Sequence, residues 1–208
     1  LSSTDGSYNV KISETRLIWD GWKHPVDIRL SNVSVVTKEG KIFTVFPEIA
    51  LGVDVLYLPL GQIIPTSLTI TAPLMNLVQN DDRSFGFGFE QKDETFDPAS
   101  TVPFSVLFSS FMQQSEEGSF RHLRRVVVRN AELLVRNRKQ LAFFDAKGFN
   151  FELIRSKKGE IRINNSASIH YKDFITNIYS EFSFGPDQPN IDGTVEFTEL
   201  MPNILAGL

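Results

Sequence analysis

The chain has 208 residues, a formal net charge of -4 and no cysteine, with 41% hydrophobic residues. Lack of cysteine removes disulfide frameworks, thiolate metal sites and thiol nucleophiles together, and an acidic balance argues against a dedicated nucleic-acid binder. No stretch approaches the 18 consecutive apolar residues of a membrane-spanning helix. The start, Leu1-Ser2-Ser3-Thr4, has neither an initiator Met nor a basic-then-apolar signal, so we read the chain as a segment of something longer, with any anchor outside it.

In chain order, alternation of apolar and polar residues predicts strands at Val26-Ile28-Leu30 and at Ile49-Leu51-Val53-Val55. Asp54 to Gly61 predicts a short helical turn ended by Pro59 and Gly61. Phe85-Gly86-Phe87-Gly88-Phe89 predicts a strand with rings on one side and nothing on the other. Ser100 to Gln114 predicts a helix, with Thr101 as N-cap and Pro103 in the first turn. Its Phe104, Leu107, Phe108, Phe111 and Met112 fall on one helical face. Further strands follow at Phe149-Phe151-Leu153, Ile161 to Tyr171 and Ile191-Gly193-Val195-Phe197. Period-two patterning with one wet face belongs to antiparallel sheets. Turn signals at Lys38-Glu39-Gly40, Asn80-Asp81-Asp82, Lys157-Lys158-Gly159 and Gly185-Pro186-Asp187 separate the runs.

Polar, acidic segments flank the helix, which predicts three parts: a β segment over 1–92, a linker with an amphipathic helix over 93–119, and a second β segment over 120–208 continuous with the first. The halves also share an apolar pattern, Ile70 to Leu77 lying on Val128 to Val135 at an offset of 58.

Catalytic signals are absent from the pattern. His24, His122 and His170 sit in no nucleophile elbow and at no metal-ligand spacing. Asp81-Asp82 reads as a hairpin turn, and the Gly-Phe-Gly of residues 86–88 precedes no helix that would make it a phosphate loop. We expect no enzyme, no cofactor and no metal. From Arg121 to Lys139, seven cations (Arg121, Arg124, Arg125, Arg129, Arg136, Arg138, Lys139) face Glu132 alone. This run suits either phosphate or lipid head groups or the protection of an edge strand.

Eighteen Phe against 4 Tyr and 2 Trp suit a dense core or a surface facing hydrocarbon, because Phe has no polar handle. Leu17-Ile18-Trp19-Asp20, Val26-Asp27-Ile28-Arg29-Leu30-Ser31-Asn32-Val33, Lys38-Glu39-Gly40-Lys41-Ile42 and Phe46-Pro47-Glu48-Ile49 carry a resemblance. It continues through Val55-Leu56-Tyr57-Leu58-Pro59-Leu60-Gly61-Gln62, Ile64-Pro65-Thr66-Ser67-Leu68-Thr69-Ile70 and Ala72-Pro73-Leu74-Met75-Asn76-Leu77 into Val78-Gln79-Asn80-Asp81-Asp82. Leu123-Arg124-Arg125-Val126-Val127-Val128-Arg129-Asn130-Ala131-Glu132-Leu133 fits a second unit. Over roughly residues 8 to 200 the chain resembles the AsmA-like bacterial envelope proteins, within them the YhdP-type branch, which are related to chorein-type bridge-like lipid-transfer proteins. Asn80-Asp81-Asp82-Arg83-Ser84 departs from the pattern by lacking a Gly.

The resemblance implies a mainly β fold: a long, antiparallel, strongly curved U-shaped sheet with an apolar inner groove and one or two short helices. It implies a place on the periplasmic side of the inner membrane and phospholipid transport toward the outer membrane. Partners would be phospholipid acyl chains, the membrane through an anchor outside this segment, and envelope proteins, but not nucleic acid. Groove-facing candidates are Val26, Ile28, Leu30, Ile49, Leu51, Val53, Val55, Leu68, Ile70, Phe149, Phe151, Leu153, Ile169, Phe182, Phe184, Val195 and Phe197. Arg121, Arg124, Arg125 and Arg129 are head-group candidates, and the stripe of Phe104, Leu107, Phe108, Phe111 and Met112 is a lid or a structural prop. Two other readings stay open: a β-rich module that docks a protein partner, and a binding protein with a closed apolar cavity between two sheets.

Overall fold

A computed structural model of the chain describes residues 8–19, 26–37, 42–80, 84–89, 102–103, 122–137, 142–171, 174–185 and 191–199. The strands are β1 (Tyr8–Ile18), β2 (Val26–Thr37), β3 (Ile42–Val53), β4 (Pro65–Thr71), β5 (Leu74–Gln79) and β6 (Phe85–Phe89). They are followed by β7 (Val102–Pro103), β8 (Arg125–Asn137), β9 (Ala142–Arg155), β10 (Ile161–Tyr171), β11 (Phe174–Phe184) and β12 (Asp192–Phe197). All join one open sheet in the order β1-β2-β3-β4-β8-β9-β10-β11-β12, with β5 pairing β6 and β8, and β7 pairing β6.

Pairing is antiparallel except at β8, which runs parallel to both β4 and β5. These two strands lie end to end along it, Ile70 opposite Val128 and Met75 opposite Leu133. The offset of 58 seen in the sequence is therefore the pairing register. Both segments break at the same level, Ala72 at φ 51° and Asn130 at φ 51°.

A crease crosses the sheet at that level. Asn32 (φ 49°) on β2 and Gly148 (φ 59°) on β9 continue the line of left-handed residues. On β9 the line coincides with a bulge against β10, and β8 and β9 shift register between Val128 and Leu133, whereas β2 keeps its register with β1 and β3 across Asn32. On β2 the apolar set passes from Val26, Ile28 and Leu30 to Val33 and Val35, and on β8 from Val126 and Val128 to Ala131, Leu133 and Val135. On β8 and β9 these register shifts keep Leu133 and Ala146 in line with Ile169 on the apolar face. Asn150 stitches the crease: its Oδ1 accepts the Asn130 N–H at 3.0 Å, and its Nδ2 donates to Gly148 O at 2.8 Å and Ser166 Oγ at 3.3 Å.

Above the crease the packing is closed on both sides of β5, where Met75, Asn76 and Val78 are fully buried. Asn76 is satisfied by Arg136 Nε at 2.9 Å. The alternation of β6 is as expected: Phe85 and Phe87 pair with Gln79 and Leu77, while Gly86 and Gly88 lie across from Val78 and Asn76.

Helix is sparse. The turn after β3 contains a 3-10 turn, Leu58–Leu60, ended by Gly61 at φ 71°, where the sequence places one. The start expected for the second helix is corrected: Val102 and Pro103 are extended and pair with Phe87 and Gly86. A proline suits this edge position, where no ladder N–H is needed. Residues 104–121, with the stripe Phe104, Leu107, Phe108, Phe111 and Met112, lie outside the described residues.

Candidate functional site

The register places one residue of each of nine strands in a single transverse row: Leu17, Ile28, Leu51, Leu68, Val126, Leu153, Ile163, Phe182 and Gly193. At about 4.8 Å per strand spacing the row is on the order of 38 Å long. Gly193 leaves space for the Phe182 ring, since a Cβ there would sit 2.3 Å from Phe182 Cδ1. A neighbouring row runs Leu30, Ile49, Ile70, Val128 and Phe151 before turning polar at Asn165 and Ser180. Leu153 is buried, whereas Ile28, Leu51, Leu68, Val126, Ile163 and Phe182 keep part of their surface open.

Of the groove-facing candidates, Val26, Ile28, Leu30, Ile49, Leu51, Val53, Leu68, Ile70, Phe149, Phe151, Leu153, Ile169, Phe182, Phe184, Val195 and Phe197 share this face by register. Val55 does not. The strand ends at Val53, and Val55 belongs to the following turn, 37% exposed. Alternation continues past Val53 in the sequence, but the Asp54 N–H donates to Ile64 O at 3.0 Å and closes a loop instead. Val126, Val128 and Ile163 complete the rows and are missing from the sequence-derived set, although Ile163 belongs to the alternation of residues 161–171. Val126 and Val128 stand inside the basic run, where charge masks their parity.

The opposite face is polar. A row of Asp27, Gly52, Ser67, Arg125, Ile154, Arg162, Ser183 and Asp192 lies one residue away from the apolar row. Arg125 Nε donates to Glu152 Oε1 at 2.7 Å, and Arg162 pairs with Glu181 at 3.6 Å. A hollow of about 610 Å³ lies on this side of β8 to β12, lined by Arg125, Val127, Arg129, Asn150, Glu152, Asn164, Ser166, Tyr179, Glu181, Thr194 and Glu196, with Val128 and Phe151 of the neighbouring apolar row also on its wall. The head-group candidates are thereby divided. Arg125 and Arg129 line the polar hollow, on the face opposite the acyl candidates. Arg124 is exposed at the sheet end, its N–H donating to Thr66 O at 2.8 Å. Arg121 lies outside the described residues.

No family model matches the chain, and no significant similarity to a curated protein or a solved structure is found. The site is therefore argued from its own geometry.

Among the described residues, no group of three or more His, Asp or Glu is arranged to hold a metal ion. His122 lies against the Tyr57 ring at a centroid distance of 6.1 Å, and His170 pairs across strands with Asp145 and Ile175. His24 is outside the described residues. Arg155 is buried at the sheet end, where its Nη2 donates to Leu123 O at 2.8 Å. Burial, reinforced by the charge of Arg124, lowers its pKa. Chemically, the arrangement offers a wide hydrocarbon surface on one side and hydrogen-bonding groups on the other.

Proposed function

We propose that the chain is a segment of an AsmA-like envelope protein that binds phospholipid acyl chains on its apolar sheet face and supports phospholipid transport between inner and outer membrane. In this reading it lies on the periplasmic side of the inner membrane, is held there by an anchor outside the segment, and curves into a U-shaped trough around the chains. The observation that carries the reading is the apolar row from Leu17 to Phe182, continuous across eight strands and left partly open. Each acyl CH₂ removed from water there contributes about 0.8 kcal/mol. Neighbouring positions of the row are chemically alike, so a chain can slide without being released. The activity needs no catalytic group, cofactor or metal.

The experiment is lipid extraction and mass spectrometry after native purification. Phospholipid should accompany the wild-type chain and be depleted in a Leu51→Asn, Ile163→Asn variant that keeps the β-rich circular-dichroism spectrum. Equal lipid in both, or none in either, contradicts the reading.

A second reading, a non-catalytic module that docks an envelope protein, is favoured by the sheet edges. Among the described residues, β1 and β12 each pair on one side only, and every residue of β12 is exposed. An open edge accepts an added strand from a partner.

A further inference from the structure

One end of the sheet gathers exposed apolar side chains, most of them beyond the strands. β1 ends there in Leu17 and Trp19, 70% and 58% exposed, and β3 passes to β4 there through residues 54–64. That loop exposes Leu56 at 77%, Leu60 at 70% and Ile63 at 64%. From Val55 to Asn80 the chain has no charged residue. The loop is nonetheless built rather than slack. Leu60 N–H donates to Tyr57 O at 3.0 Å, Gly61 N–H to Leu58 O at 2.9 Å and Gln62 N–H to Tyr57 O at 3.1 Å. Its one acid, Asp54, is engaged in holding the turn, Oδ1 accepting the Leu56 N–H at 3.0 Å.

Cations stand at the same end. Arg124 N–H donates to Thr66 O and Arg155 N–H to Arg124 O, which joins the loop exit to the end of β9. The turn after β9 then exposes Lys157 and Lys158. Protruding leucines, a Trp beside them and flanking cations are what an anionic bilayer surface recognises: the apolar groups enter the acyl boundary, the indole sits at head-group depth, and the cations meet lipid phosphates. A partner strand would add along the open edge of β1, whereas the loop of residues 54–64 spends backbone groups on its own turns and presents side chains, which suits a bilayer surface rather than strand addition.

We propose that this end of the sheet docks on an anionic lipid bilayer through the loop of residues 54–64, with Arg124, Lys157 and Lys158 supplying the charge preference. The proposal does not rest on acyl binding by the sheet face.

The test is co-sedimentation of the 208-residue chain with phosphatidylcholine vesicles and with an equal mixture of phosphatidylcholine and phosphatidylglycerol. Wild type should bind the mixed vesicles at least about tenfold more strongly than the neutral ones. Leu56→Ser with Leu60→Ser should lose at least about tenfold on both vesicle types, with an unchanged circular-dichroism spectrum because both side chains face water. Arg124→Gln, Lys157→Gln and Lys158→Gln together should remove the preference for phosphatidylglycerol and leave the weaker neutral binding. Lipid recovered from the Leu56→Ser, Leu60→Ser chain should match wild type, which separates this docking from occupancy of the sheet face. A folded wild type that ignores both vesicles, or a leucine variant that binds as wild type does, overturns the proposal. Loss of the preference without any role for the leucines overturns it as well, leaving charge attraction alone.

Discussion

The two faces of this sheet are made by the same strands, one residue apart, and they differ in almost every physical respect. On one face Ile28, Leu51, Leu68, Val126, Leu153, Ile163 and Phe182 form an unbroken apolar row. On the other, Arg125 meets Glu152 and Arg162 meets Glu181 around a polar hollow. A dense core would hide the first face, and ordinary surface would spread polar groups over both. The contrast indicates that a single-layer sheet can keep a hydrocarbon surface partly open while its other side stays compatible with water.

Substitutions across that contrast should differ most in their cost. Leu153→Asp places a charge at a position 5% exposed between Val126 and Ile163, and should lower stability by about 3 kcal/mol or more in urea unfolding. Asn150→Ala should cost about 1–2 kcal/mol in the same measurement, because the Asn130 N–H loses its acceptor and the crease that keeps the apolar row in phase is loosened. Ala72→Gly should act in the opposite direction. A Cβ at φ 51° is strained, and its removal is expected to raise stability by up to about 1 kcal/mol. Asn130→Gly, at the same φ, should gain less, because Asn tolerates this conformation. Smallest of all, Glu152→Gln breaks the Arg125 pair on the polar face, where the side chains are 49% and 27% exposed. It should change stability by less than about 1 kcal/mol, and less still at high salt. Comparable costs for Leu153→Asp and Glu152→Gln would erase the distinction between the faces.

Much of this was legible in the sequence because a strand writes its two faces on alternate residues. Val26-Ile28-Leu30 and Ile161-Ile163 needed nothing more, and the offset of 58 already contained the register of β4 and β5 along β8. The limits have equally local causes. The register shifts beside Asn130 and Gly148 change the parity of what lies beyond them, so a fixed period of two loses the strand there. Val55 keeps the period, yet backbone hydrogen bonding between Asp54 and Ile64 takes it out of the sheet. Charge in the run from Arg121 to Lys139 concealed that Val126 and Val128 stand in the apolar rows. Val102 and Pro103 satisfy the rules for a helix start, but pairing with β6 decides their conformation. Which side of the bent sheet carries the hollow depends on bulges and twist, not on polarity, and no local pattern records it.

The proposed function requires acyl chains to lie on the apolar face and not on the polar one. The direct measurement places a photo-crosslinking phenylalanine analogue at Leu51 or Ile163 and, separately, at Thr69 or Asn164, which the register puts on the opposite face. After illumination in cells, lipid adducts at positions 51 and 163 and none at 69 and 164 are expected. Adducts of equal yield on both faces, or adducts confined to Thr69 and Asn164, would contradict it.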